Sequence, residues 1–311
     1  MCLQSRVVTN LTTHSAFFAQ ERKKFHNKLI DDNILTFSVP IASNANSSSL
    51  PIASNADGSS VPSKEIAKNI ADQIGGVKTV RKKKVGQSLG TGFEVACASF
   101  VKNTFVQLKH LRPGSLTVSQ VPTKDLHTIA DFEQYAHLKV LDELAKNNPQ
   151  LAAVLGSEYL IRPDVVVHRH ALTDEEINNG QSLIDGNVST LASLRQQDSK
   201  QPPLLHASIS CKWTLRSDRA QNARSEALNL VRNRKGHLPH VVVVTAEPTP
   251  GRLASIALGT GDIDCVYHFA LYELQQAVRD LPKHDPKDML NVMVQGKRLK
   301  DISDLPLDLA T

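Results

Sequence analysis

Ser210-Cys211-Lys212, then Arg216-Ser217-Asp218-Arg219 and Glu226, lie between the apolar stretch that starts at Leu205 and the run Val241-Val242-Val243-Val244. Residues 205–213 read as a strand, and 217–235 as a helix with Ser217 as N-cap and Gly236 as its C′ residue. A run of four valines is what a central strand buried on both faces requires. Upstream, Pro163-Asp164 opens a second apolar run, Val165-Val166-Val167. Proline cannot donate to a sheet ladder, so Pro163 marks a strand start where Asp164 faces a cleft.

Further out the alternation of strands and helices continues. Helices are predicted over 15–31 (N-cap Ser15, with Phe17, Phe18, Phe25 and Leu29 near one face), 63–74, 93–111 and 131–147, with another from Thr173. A strand is predicted over 116–121, and a strand-to-helix passage covers 266–281 and continues into the C-terminal tail. Strands interleaved with helices give an α/β protein with a central mixed sheet flanked by helices. The 311 residues, 41% of them apolar, are organised as a single domain over 1–311 with a flexible N-terminal loop region at about 36–62. That region contains a repeat: Pro40-Ile-Ala-Ser-Asn-Ala45 recurs as Pro51-Ile-Ala-Ser-Asn-Ala56. Two short copies mark a local duplication within a loop, not a solenoid.

The net charge is only +5, but it is unevenly placed. Between Lys212 and Lys235 seven basic residues face Asp218 and Glu226 alone, so this segment carries as much charge as the whole chain. A basic face suits phosphate contact, and a solvated helix face is the plainer alternative. Arg81-Lys82-Lys83-Lys84 leads into Gly86-Gln87-Ser88-Leu89-Gly90-Thr91-Gly92, read either as a phosphate loop or as a flexible basic segment. The four cysteines lie far apart with no zinc spacing, which predicts reduced thiols in a cytoplasmic protein. No apolar run approaches membrane-spanning length and the N-terminus lacks a signal-peptide core, so no membrane association is expected.

The chemistry follows from residue types and spacing. Ser210 and Lys212 stand at i and i+2 on a strand, so both side chains emerge on one face. Lys212 can reach a phosphate or an attacking water there. The Cys211 side chain points into the core, while its backbone carbonyl is available to a metal. Asp164 and Glu226 supply carboxylates, the latter from a helix face shared by positions 219, 222, 223 and 226 while Leu228 and Val231 pack on the other. Such a set fits metal-dependent phosphodiester hydrolysis. Glu94, in the first turn of the helix over 93–111, either favours the helix dipole or joins the site. An arginine fork can bond guanine, and an aspartate can accept from cytosine, so Arg216, Asp218 and Arg219 can read base edges; a surface ion-pair cluster is the alternative.

With these residues in view, the chain resembles the type II restriction endonucleases of the PD-(D/E)xK superfamily, in the CCGG-centred branch that holds the NgoMIV family. The likeness runs nearly from the first helix to the C-terminus. It is densest over 204–247 (LLHASISCKWTLRSDRAQNARSEALNLVRNRKGHLPHVVVVTAE) and strong over 259–274 and 296–309. It implies a restriction-endonuclease-like core and cleavage of double-stranded DNA at GCCGGC, with Mg²⁺ as cofactor and four-base 5′ overhangs. Asp164, Ser210, Lys212 and Glu226 match its catalytic pattern, Glu94 a further active-site acid, and Asp164, Glu226 and the Cys211 carbonyl its metal ligands. Arg216, Asp218 and Arg219 match the CCGG-reading segment, Asp57 and Arg252 the outer-pair contacts, and Gln87 a minor-groove contact. A homotetramer holding two duplexes and a cognate DNA methyltransferase in the same system, with no direct contact implied, are also expected. The chain departs from the family in a longer N-terminal region carrying the duplicated loop. The other readings are a CCGG-core enzyme of different outer specificity, a repair nuclease or junction resolvase of the same superfamily, and a non-catalytic DNA-binding protein. The last would not need Asp164, Lys212 and Glu226 together.

Overall fold

The computed structural model describes residues 15–39, 51–80 and 86–311, apart from 113, 157, 158, 199, 260 and 283. Helix α1 (Phe17–Asp31) leads into a small sheet of β1 (Phe37–Ser38), β2 (Ile52–Ala53) and β3 (Thr79–Val80), with α2 (Val61–Ile74) between the last two. β1 is central, antiparallel to β2 and parallel to β3. Helix α3 (Gly86–Phe105) follows, then β4 (Leu116–Gln120), α4 (His137–Lys146) and α5 (Pro149–Leu155). β5 (Val165–Arg169) and α6 (Asp174–Asn178) precede the central unit of β6 (Leu204–Lys212), α7 (Ser217–Asn233) and β7 (His240–Thr245). The chain ends with α8 (Pro250–Ala257), β8 (Cys265–His268), α9 (Leu271–Arg279), α10 (Asp285–Gln295), β9 (Leu299–Asp301) and α11 (Leu305–Asp308).

Strands β4 to β9 form one sheet in chain order. The β4–β5 and β5–β6 pairs are antiparallel, and all pairs from β6 onward are parallel. The expected mixed α/β architecture is therefore present, and its change of direction falls on the strand that carries Ser210 and Lys212. Val165, Val166, Val167 and Val244 have no exposed surface, as unbroken apolar runs demand. Helix α3 packs across β4, β5 and β6. Its Phe93 meets Trp213 edge-on with ring centroids 5.1 Å apart, and Trp213 in turn packs on Phe269. This aromatic cluster clamps the end of β6 one residue beyond Lys212.

Several local expectations are corrected. Ala16, not Ser15, stands at the N-cap of α1 and makes no side-chain cap bond, and Phe17 is exposed. Arg216, not Ser217, holds the N-cap position of α7, and that helix stops at Asn233, short of Lys235 and Gly236. The buried face of α7 is Ala220, Ala223, Ala227 and Leu230; Leu228 and Val231 are half-buried. The segment 131–147 is helical in earnest only over α4, after two 3-10 turns. Residues 51–62 are not a loop throughout: they hold β2, two turns and the start of α2, whose N-cap Ser60 accepts the Ser63 amide. The first repeat copy and the basic run 81–84 lie outside the described residues.

The glycine-rich stretch 86–92 forms the first two turns of α3, so it is neither a phosphate loop nor a flexible segment. Leu89 and Phe93 are buried there, and Gly92 lies so close to Ile34 that a Cβ would come within 2.8 Å of Cδ1. Tertiary packing outweighs the low helix propensity of glycine. The consequence reaches Glu94, which sits eight residues into the helix, too far from its N-terminus to serve the dipole.

Candidate active site

Val165 pairs with Ile209 across β5 and β6, which sets Asp164 beside the next residues of β6. Asp164 Oδ2 accepts the Cys211 amide at 2.7 Å and lies 3.2 Å from Lys212 Nζ. Backbone N–H and C=O of a strand residue project to the same side, so the Cys211 carbonyl also faces the Asp164 edge. The Cys211 thiol is free and buried, and its hydrogen bond with Cys97 and its burial push its pKa well up, which keeps it an inert thiol.

Glu226 reaches the same face from α7. Its Oε2 accepts the Ser210 hydroxyl at 3.3 Å and stands 4.0 Å from Lys212 Nζ. Glu94, from α3, lines a cleft of about 340 Å³ with Lys212, Glu226, Gln87, Arg219 and Asn222. Burial raises the Glu226 carboxyl above the ordinary range against the pull of Lys212. Burial does the same for Glu94, aided by the negative charge of Asp164 and opposed by Lys212. Burial alone would lower the Lys212 ammonium, but Asp164 and Glu226 outweigh it and hold it above the ordinary value. A fixed positive charge thus sits among acids drawn from three separate elements. Among the described residues, no three His, Cys, Asp or Glu side chains already stand together as a metal site.

Arg219, near the start of α7, also lines this cleft. Arg219 is braced by a 3.0 Å bond from Nη1 to Thr214 Oγ1, while Arg216 and Asp218 are exposed. Arg216 lines a second cleft of about 620 Å³, together with Asp57 and Arg252. Those two residues form a close ion pair across 195 positions of sequence. Asp57 also accepts the Ser59 hydroxyl at 2.6 Å and the Ser59 amide at 3.0 Å, and the Ser59 and Arg252 bonds hold its carboxyl below the ordinary range. The second repeat copy, which ends just before Asp57, is docked on the carboxyl end of β7 by Asn55 Nδ2 donating to the Ala246 carbonyl at 2.8 Å.

Not every basic residue of 212–235 is available to a phosphate. Arg224 binds Asp262 at 2.7 Å and the carbonyls of Ser255 and Leu258. Sequence reasoning also passed over Glu247, a fully buried acid beside Arg252. Its only sequence signal was a lone carboxylate two residues beyond a strand built on four valines.

Residues 25–311 match the family described as NgoMIV restriction enzyme. The chain belongs to the NgoMIV restriction enzyme family. It is 56% identical over 294 residues to the type II restriction enzyme NgoMIV of Neisseria gonorrhoeae, covering 94% of this chain and 98% of that relative. Membership in the NgoMIV family makes the chain a type II site-specific deoxyribonuclease. The described residues match the NgoMIV family from within α1 onward, so both clefts fall inside the matched region. Among the described residues, no helix is long and apolar enough to cross a membrane.

Proposed function

We propose that the chain cuts double-stranded DNA at GCCGGC in a Mg²⁺-dependent reaction that leaves four-base 5′ overhangs. One observation carries the reading: Asp164, Lys212, Glu226 and Ser210 meet at one end of β6, and Arg219, from the start of α7 that also bears Arg216 and Asp218, lines the same cleft as Lys212 and Glu226. Phosphodiester chemistry and base-edge chemistry are thereby adjacent.

Asp164, Glu226 and the Cys211 carbonyl are the proposed metal ligands, with Glu94 a further acid of the site. All are hard oxygen donors of the kind magnesium prefers, which is the fit that the residues present allow. Bound magnesium supplies positive charge against the phosphate oxygens and lowers the pKa of water. Lys212 holds its charge where a scissile phosphate or attacking water would stand, and Ser210 steadies the Glu226 carboxylate by its hydroxyl. Because Ser210 cannot serve as an anion, the acid of that strand position is provided by Glu226 from the helix.

Arg216, Asp218 and Arg219 read the inner CCGG, Asp57 and Arg252 the outer pair, and Gln87 touches the minor groove. A palindromic site pairs with a two-fold assembly, and the family likeness extends this to a homotetramer holding two duplexes. A cytoplasmic restriction–modification system with its own methyltransferase is the matching context. Digestion of a plasmid of known sequence with Mg²⁺, followed by mapping of the ends, tests the reading. Cuts at GCCGGC with four-base 5′ extensions are expected, and cuts at every CCGG regardless of flanks would replace the six-base site with a four-base one. The CCGG-core enzyme of other outer specificity is the second reading, and the Asp57–Arg252 pair, which shares a cleft with Arg216 and suits a G·C pair, favours the six-base site over it.

A further inference from the structure

Glu247 follows the carboxyl end of β7 and has no exposed surface. Both of its carboxylate oxygens are engaged: Oε2 accepts the Leu215 amide at 2.9 Å, and Oε1 accepts the Thr249 amide at 3.1 Å. Arg252 Nη1 lies 3.7 Å from Oε2. The backbone carbonyl of Glu247 is fixed as well. His268 Nδ1 accepts the Ala270 amide at 3.2 Å, so Nε2 carries the ring proton and donates to that carbonyl at 3.1 Å. Burial pushes His268 down to about 4, which keeps this tautomer neutral at physiological pH.

The partners of this one carboxylate lie on separate elements. Leu215 immediately precedes Arg216, and Thr249 is the N-cap of α8, three residues before Arg252. A charge buried without strong partners is costly, so a purely packing role would be met better by an apolar side chain. Here the contacts of the acid reach Arg252 itself, Leu215 next to Arg216, and the N-cap of the helix that carries Arg252.

We propose that Glu247 is a positioning residue for base selection, fixing the Arg252 guanidinium against the Leu215–Arg219 turn. The inference rests on the reading above that Arg252 and Asp57 face the outer base pair. Arg252 is shared between Asp57 and Glu247. When Asp57 turns to accept from a base, the Glu247 carboxyl stays behind where DNA cannot reach it. Burial pushes that carboxyl up, and the Thr249 and Leu215 hydrogen bonds and the Arg252 charge pull it back toward the ionised form. The guanidinium is then held at its root, and its remaining donors point at the base edge and not after Asp57.

The test compares wild type, Glu247→Gln, Arg252→Ala and the double variant on duplexes that differ only at the outer pair. Single-turnover cleavage rates in Mg²⁺ give a discrimination ratio for each protein, and circular dichroism with a melting curve checks folding. Glutamine keeps an oxygen for one amide but sets a neutral group opposite the other amide and Arg252. Folded Glu247→Gln is expected to lose about tenfold or more of outer-pair discrimination while cleaving GCCGGC with a smaller loss. In the Arg252→Ala background the same change should lower discrimination no further, since the two residues act through one contact. A uniform fall on all duplexes with discrimination intact, alongside a loss of discrimination in Arg252→Ala, overturns the inference and leaves the outer-pair reading standing. Unchanged discrimination in Arg252→Ala removes the outer-pair reading and this inference with it. If Glu247→Gln melts below the assay temperature, Glu247→Asp, which keeps the charge one methylene shorter, goes through the same panel with the same deciding outcomes.

Discussion

Lys212 Nζ stands 3.2 Å from Asp164 Oδ2, and the same oxygen takes the Cys211 amide at 2.7 Å. The acid at the start of one strand is thus held by two consecutive residues of its neighbour, one through backbone and one through side chain. Metal ligation and phosphate contact act mainly on the transition state, whereas base contacts set affinity. Asp164→Ala and Lys212→Ala are each expected to lower the cleavage rate by at least about 10²–10³-fold while leaving specific binding measurable. Gel-shift titration in Ca²⁺ and cleavage in Mg²⁺ separate the two properties, and near-wild-type cutting by either variant would remove that residue from the site.

Glu226 gives a sharper expectation, because its carboxylate already accepts the Ser210 hydroxyl at 3.3 Å. Glu226→Ser should abolish cutting, and adding Ser210→Glu should restore part of it by returning the acid to the strand. Single-turnover rates of the two variants decide the matter. Normal cutting by Glu226→Ala would make the residue ordinary helix surface.

The inner contacts are tested one residue at a time. Changing Arg216, Asp218 or Arg219 to alanine should cost about 1–3 kcal/mol of specific binding for each lost bidentate contact. Competition binding against a duplex altered within CCGG measures this directly. A variant that weakens binding to specific and unrelated duplexes alike has lost a phosphate contact instead.

Much of this architecture was legible because its signals are local. The valine runs and the Ser-x-Lys spacing mark β5, β6 and β7, and Pro163 marks where Asp164 must stand. The reading failed where a distant partner decides the outcome. Gly86–Gly92 looked like a loop until Ile34 and the buried faces of Leu89 and Phe93 made it helix, and that displaced Glu94 from a first turn to mid-helix. Arg224 looked like a phosphate contact because nothing nearby in sequence points to Asp262. Glu247 drew no notice, since its hydrogen-bond partner Leu215 lies 32 positions back. The Asp57–Arg252 pair was reached only through family likeness; no periodicity joins residues so far apart.

Two buried histidines, His168 and His268, and the half-buried His206 set an expectation for stability against pH. Burial is the first cause that lowers His168, His206 and His268 to about 4 from an ordinary 6.5. The unfolded chain takes up these protons first as pH falls. Their contribution is therefore complete above about 6.5 and is lost progressively as pH drops from there toward 4, at up to about 1.4 kcal/mol per pH unit for each ring. Urea melts followed by the fluorescence of Trp213, the one tryptophan in the chain, should show midpoints falling between pH 7 and pH 5. A flat profile over that interval would mean that these rings are not held neutral by the fold.

Arg219 and Glu226 lie seven residues apart on α7, about 10 Å along its axis. A helix of this length is stiff, so under the proposed roles these two residues cannot move independently. Docking against the correct base edges seats the far carboxylate, and a mismatched edge that lifts the helix tip tilts that carboxylate away from the phosphate. Fidelity is then a property of a lever: a wrong sequence is penalised first in affinity and again in rate, with no separate checking step.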